Sequence, residues 1–241
     1  MNITSLLNSQ GPLSPITDDL ILYYSFNENS GSKVYDLSGY NNHGTLKGTP
    51  SPTWALTGSK TQEIGSGIAI NNVASYIEST RLLDMPISSS GTISLWAMCA
   101  IATTNHVWIS CANWSTDKNG FTLANSNTAN RFVFEVCSNT SAKLWNPVGT
   151  IVNTGNVWRM LTITWNASGF NAYTNGVFHA SSPGTIYITP NVYYFRVGWS
   201  GDGAYKMGNA YIDDVRVYKR ALSADDVYIL YKSTGDDLLL I

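Results

Sequence analysis

The sequence predicts an all-β fold of two antiparallel sheets packed face to face, with one short helix near its C-terminal end. Three observations predict it. Short apolar runs recur from Leu20 onward, broken by Gly, Asn, Ser and Pro, with hardly any helical periodicity. Aromatic residues make up 12% of the 241 positions and charged residues another 12%, a balance that favours a buried core over a solvated chain. In FNAYTNGVFHAS, Asn175-Gly176 separates two alternating apolar stretches, and that pair suits a two-residue hairpin turn with positive φ at both positions.

Taken in order, residues 1–19 form an N-terminal arm in which Pro12 and Pro15 disfavour regular structure. Residues 20–233 form the sandwich, and 234–241 (TGDDLLLI) an apolar tail. Strands are expected near 20–27, 67–80, 91–101, 106–114, 119–124, 131–137, 157–165, 169–181, 192–199 and 209–218. The helix is ALSADDVYILYKS. Ser223 caps its free amides, Asp226 stands three residues on, and Asp225 and Asp226 complement the helix dipole. Val227, Leu230 and Tyr231 form its buried face, with Leu222 placed to staple the first turn.

Composition narrows the function. A net charge of −2 offers no basic stripe, which argues against nucleic-acid partners, and no window reaches membrane-spanning length. The opening MNITSLLNSQGPLSPITDD has neither a positive n-region nor an apolar h-region, so no secretory signal is expected. Cys99, Cys111 and Cys137 lack metal-type spacing and read as buried free thiols of a chain folding in a reducing cytosol. The sequons at Asn113, Asn139 and Asn166 carry no weight in that compartment.

Four stretches carry a family resemblance: LILYYSFNENSGSKVYDLSGYNNHGTL, GTISLWAM, VWRMLTITWNASGFNAYTNGVFHAS and NAYIDDVRVYKRALSADDVYILYK. In this order the chain resembles the laminin-G-like, concanavalin A-like lectin/glucanase jelly rolls over residues 20–233. The resemblance implies a jelly-roll sandwich whose first and last strands are neighbours. It also implies a structural Ca²⁺ near the opening loop, with Asp36 and Asp213 as side-chain ligands and Asn42, His43 and the carbonyls from Gly39 to His43 around it. The residues alone allow another reading, in which Asp36 and Asn42 bond neighbouring amides and hold a tight loop without metal.

Glucanases of this sandwich carry Glu-x-Asp-x-x-Glu on one strand, so that alternation aims three carboxylates at the sugar. That motif is absent. Glu28, Glu63, Glu78 and Glu135 are isolated, and the Asp213/Asp214, Asp225/Asp226 and Asp236/Asp237 pairs point to different faces or lie in the helix cap. No nucleophile elbow, phosphate loop or zinc motif is present, and a non-catalytic protein is expected.

Binding surfaces follow from parity. In GTISLWAMCAI, Ile93, Leu95, Ala97 and Cys99 oppose Trp96. In HVWISCANW, Val107, Ile109 and Cys111 oppose Trp108 and Trp114. Were these strands a hairpin, Trp96, Trp108 and Trp114 would share one aromatic face. Trp96 is expected in a second small core beneath loops or the arm, while Trp108 and Trp114 are ligand-contact candidates. Trp199 and Asp202, in the Gly-rich VGWSGDGAYKMG, are candidates at the sandwich rim.

The expected function is a non-catalytic structural surface module of a larger assembly, a phage-like virion decoration or fibre protein reaching the virion surface after cytoplasmic assembly. Its partners are other capsid or fibre subunits, contacted through Leu238, Leu239, Leu240 and Ile241, with adhesion to a polysaccharide or cell-surface glycan second. The alternatives are a free-standing carbohydrate-binding lectin module and, ranked below it, a glycoside hydrolase or lyase.

Overall fold

The computed structural model describes residues 16–55, 67–70, 74–82, 90–99, 106–112, 120–126, 131–137, 143–147, 157–183, 194–200, 207 and 210–234. Among them the chain forms β1 (Leu20–Tyr24), β2 (Lys33–Val34), β3 (Gly44–Lys47), β4 (Thr53–Ala55), β5 (Gly67–Ile70), β6 (Tyr76–Leu82), β7 (Gly91–Cys99) and β8 (His106–Ala112). Then follow β9 (Gly120–Ser126), β10 (Arg131–Cys137), β11 (Lys143–Pro147), β12 (Arg159–Asn166), β13 (Gly169–Thr174), β14 (Val177–Pro183), β15 (Tyr194–Val197), β16 (Ala210–Tyr218) and the helix α1 (Ala224–Thr234).

The strands make two antiparallel sheets. The first runs β14-β13-β12-β7-β16-β5-β4, with β1 also paired to β16; the second runs β11-β10-β9-β8-β15-β6-β3-β2. The first and last strands are thus neighbours, as the resemblance implied, with Tyr24 opposite Val215. Alternation drives the packing: Ile93, Leu95, Ile163 and Trp165 face inward from one sheet and Phe121, Phe134 and Phe195 from the other, all buried in one cluster. The Phe134 ring stacks on Trp165 across the gap at 5.7 Å. Gly91 leaves room for that indole, because a Cβ there would stand 2.3 Å from the Trp165 ring. Burying each such side chain contributes about 1.5–3 kcal/mol.

The hairpin is as expected: Asn175 and Gly176 join β13 to β14 with φ of 51° and 77°. The cap is too, since Asp226 N donates to Ser223 Oγ and Ser223 N donates back to Asp226 Oδ2, both at 3.1 Å. Leu222, Val227 and Leu230 are buried together with Leu20, Trp96, Met160, Tyr173 and Tyr218, and Tyr231 packs against them half-buried. This second core closes the outer side of the first sheet, covered by α1 together with Leu222 and Ile16 of the arm.

Three expectations are corrected. The segment 67–80 is two strands in different sheets, β5 and β6. The strands β2, β3, β4 and β11, two to five residues each, were not anticipated, being too short for periodicity to mark. Finally, β7 and β8 do not form a hairpin: β7 pairs with β12 and β16, and β8 with β9 and β15. Parity tells which residues face the core but not from which side they face it. Cys111 is a buried free thiol, with burial pushing its pKa up to about 12, while the side chains of Cys99 and Cys137 lie outside the description.

Candidate functional site

The opening loop begins where β1 ends. Asp36 bridges to Tyr24, and its carboxylate is filled by four donors. Oδ1 accepts the amides of Tyr23 and Ser38, each at 2.9 Å; Oδ2 accepts Ser38 Oγ at 2.9 Å and the Asn42 amide at 2.8 Å. His43 Nδ1 accepts the Asp36 amide at 3.0 Å, Asn42 Nδ2 donates to the Ile21 carbonyl at 3.0 Å, and Tyr24 Oη donates to the Asn42 carbonyl at 2.6 Å. Burial first, and then the Asp36 charge, push the Tyr24 phenol well above its ordinary pKa, so it stays a donor.

These donor sets do not fit calcium. Both Asp36 oxygens and the His43 acceptor nitrogen are already spent on N–H and O–H groups. Asn42 Oδ1 is buried without a hydrogen-bond partner, yet a single amide oxygen falls far short of six to eight ligands. Asp213 lies on β16 opposite Trp96, on the side of the sheet closed by the second core. Among the described residues no three His, Cys, Asp or Glu side chains converge as a metal set. The loop therefore follows the second reading of the sequence: Asp36 and Asn42 hold backbone.

The aromatic platform also resolves differently. Trp96 is 7% exposed in the second core, its ring stacked on Tyr231 at 5.7 Å and its Nε1 donating to Thr234 Oγ1 at 3.0 Å. Trp108 is corrected from ligand contact to core: it is 1% exposed and packs with Phe121 and Ile109. The register of β8 against β9 shifts between Val107 and Ile109, so Trp108 is the extra residue of a bulge that turns it inward against strict alternation. Trp114 lies outside the described residues, as do Asp202 and the tail residues Leu238, Leu239, Leu240 and Ile241.

Trp199 is the sequence candidate that a defined surface surrounds. The Gly198 amide donates to the Trp108 carbonyl at 3.0 Å, and Ser110 Oγ donates to the Trp199 carbonyl, so β8 fixes this rim residue. Its half-buried ring lies against Tyr76 at 4.2 Å. On β15, Phe195 and Val197 face the core, so Tyr194 and Arg196 face outward; on β6, Ile77 faces inward and Tyr76 and Glu78 outward. Arg196 Nε donates to Glu78 Oε2 at 2.7 Å, and its guanidinium carbon sits 5.4 Å from the Trp199 ring centre and 5.9 Å from that of Tyr194. Lys47 from β3 donates to the other Glu78 oxygen at 2.5 Å. That hydrogen bond and the Glu78 charge hold Lys47 above the ordinary lysine pKa.

The result is a row on the outer face of the second sheet, running from Lys47 through Glu78 to Arg196 and edged by Tyr76, Tyr194 and Trp199. Of these, sequence reasoning found only Trp199 as a binding candidate. Alternation in YFRV and SYIEST marks Arg196 and Glu78 as outward, but sheet order alone pairs residues 118 positions apart. A separate hollow of about 300 Å³ beside the β12–β13 turn is lined by Asn166, Ser168, Asn171, Ser181 and Ser182, with no charged group.

Comparison with known proteins matches this geometry to a fold. A search of curated protein sequences gave no match. Among solved structures, the binding domain of Paraclostridial Mosquitocidal Protein 1 superposes with a TM-score of 0.69 at 18% identity, over 90% of this chain and 52% of that one. The receptor binding domain of botulinum neurotoxin C/D mosaic serotype gives 0.68 at 17% identity, over 90% and 52%. The chain thus spans about half the length of the toxin domains it resembles. Domain 4 of AbnA, a GH43 extracellular arabinanase from Geobacillus stearothermophilus solved in complex with arabinotriose, gives 0.68 at 22% identity, over 88% of this chain and 98% of that one. At these identities the likeness is one of fold. A family model matches residues 71–228, about two thirds of the sequence, and by that match the chain belongs to the Concanavalin A-like lectin/glucanases superfamily.

Proposed function

We propose that this protein is a non-catalytic glycan-recognition module whose ligand lies across the outer face of the second sheet, over Trp199 and Tyr76. The observation that carries the reading is the joining of ring faces to a fixed ion-pair row on the outer face of the second sheet, with Lys47 and Tyr194 exposed at its edge. Ring faces stack on the apolar faces of sugars, and the charged groups supply directional hydrogen bonds to hydroxyls. Similar structures give support of the same kind, since they are binding domains of toxins and an arabinanase domain with a bound arabinotriose.

The non-catalytic part rests on how the acids are employed. Asp36 holds a loop, Glu78 joins two cations, Asp214 pairs with Arg216 at 2.9 Å and Asp226 caps α1. A retaining or inverting hydrolase needs two carboxyl groups across one sugar bond, free to trade protons. The assembly reading rests on Leu238 to Ile241, which lie outside the described residues.

A glycan array probed with the 241-residue chain, followed by calorimetry on the best ligand, tests the proposal. Trp199→Ala is expected to weaken binding by about 2 kcal/mol, roughly thirtyfold, as truncation of an interface tryptophan typically does. Retention of no glycan, or unchanged affinity in the variant, would refute the site.

A further inference from the structure

We infer that the ligand of this face carries a carboxylate, so that the glycan class it selects is acidic, of the uronic-acid type. The inference rests on the glycan reading and deepens it. Two cations, Lys47 and Arg196, share the single carboxylate of Glu78, which leaves one positive charge in excess among the described side chains of the row.

The form of that charge matters more than its sign. Arg196 uses only Nε on Glu78, and its terminal nitrogens make no hydrogen bond to a described residue. The Arg196 side chain is 13% exposed, and its guanidinium lies near both the Trp199 and the Tyr194 ring, which restrict where the planar group can turn. A guanidinium held through Nε keeps its two terminal nitrogens, whose parallel N–H groups a carboxylate accepts in bidentate fashion. Beside it, the Lys47 side chain, 43% exposed, keeps donors free for solvent. Among the described charged groups of the row, the N–H donors of Lys47 and Arg196 therefore outnumber the acceptor sites of Glu78. A carboxylate is acceptor only and brings the negative charge that offsets the extra cation, which a neutral hydroxyl does not. Charge-assisted hydrogen bonds are about twice as strong as neutral ones, so the acid should be preferred over its own ester.

The test is a calorimetric titration of the full chain with trigalacturonic acid, its methyl ester, neutral galactotriose and a sulfated trisaccharide. The acid is expected to bind at least about tenfold more tightly than the ester, with the margin shrinking at high salt. Arg196→Lys keeps the charge and loses the fork, and should remove most of the margin; Trp199→Ala should weaken acid and ester together. Because the acid and ester are compared on the unaltered protein, the outcome does not depend on any variant folding. Equal binding of acid and ester, or of acid and galactotriose, would overturn the carboxylate while leaving glycan recognition in place. A preference for sulfate over carboxylate would overturn the assignment too, and binding of no sugar would remove both proposals.

Discussion

The two outer faces of this sandwich start from the same pleat and end in opposite states. On the first sheet the apolar outward positions include Trp96, Met160, Tyr173 and Tyr218, and α1 closes over them as a second core. On the second sheet the outward positions near β15 are Tyr76, Glu78, Tyr194 and Arg196, an ion-pair row with rings at its edge. An apolar outer face recruits a cover from its own chain, because uncovered it would expose several large side chains. The second sheet's outer face is instead held by ion pairs, with Lys47 and Tyr194 left exposed at its edge. The residues that stabilise and the residues proposed to bind are therefore separated by the thickness of the molecule, and substitutions should separate them too.

The largest effect is expected on the covered side. Trp96→Ala removes the stack on Tyr231, the hydrogen bond to Thr234 and the centre of the second core. A loss of about 3–5 kcal/mol in denaturant unfolding is expected, with earlier proteolysis in α1. Glycan affinity of the folded fraction should be unchanged. A variant that instead lost binding while keeping its stability would break the division between the faces.

The opening loop gives the next effect and sharpens the comparison, since it too contains an acid that sequence alone could place in a binding role. Asp36→Ala strips the acceptor from the Tyr23, Ser38 and Asn42 amides. About 3 kcal/mol of stability should be lost, given that hydrogen bonds to charged groups contribute about 1.5–3 kcal/mol each and relaxation recovers part of the sum. The melting temperature of the unaltered protein should be the same in calcium and in chelator. A calcium-dependent rise that vanishes in the variant would show the carboxylate holding an ion rather than backbone.

What the sequence disclosed and what it hid divides along physical lines. Local chemistry was legible: Asn175-Gly176 demanded its turn, Ser223 and Asp226 their reciprocal cap, and the alternation around Ile93 and Ile163 its core face. The family stretches placed the first strand beside the last. Long-range pairing was not legible. Nothing in GTISLWAM or HVWISCA says that the two strands belong to opposite sheets, and one inserted residue at Trp108 reverses its face without any residue type to announce it. The candidate site suffered most, because Lys47, Glu78 and Arg196 come from three strands that meet only through sheet order. Trp199 was legible because an aromatic residue beside a Gly-rich loop draws attention without needing a partner.

The smallest expected effect is a pH dependence confined to the covered face. Partial burial pushes the Asp226 carboxyl upward, but hydrogen bonds from Arg220 and Ser223, with the Arg220 charge, outweigh it and hold its pKa below the ordinary value. A carboxyl depressed in the folded state contributes stability that is fully present above the unfolded value, near 3.8, and is lost as pH falls through the folded one. The side chain is 27% exposed, so screening keeps this contribution to about 0.5–1 kcal/mol. Urea midpoints at pH 7 and pH 3 should therefore differ less in Asp226→Asn than in the unaltered protein. The loss acts at the start of α1, so it should appear as increased exposure of Trp96 while binding at Trp199 is untouched. An equal loss of glycan affinity on acidification, abolished by the same substitution, would mean that the helix reaches the second sheet's face through the core, and that the two faces are coupled rather than separate.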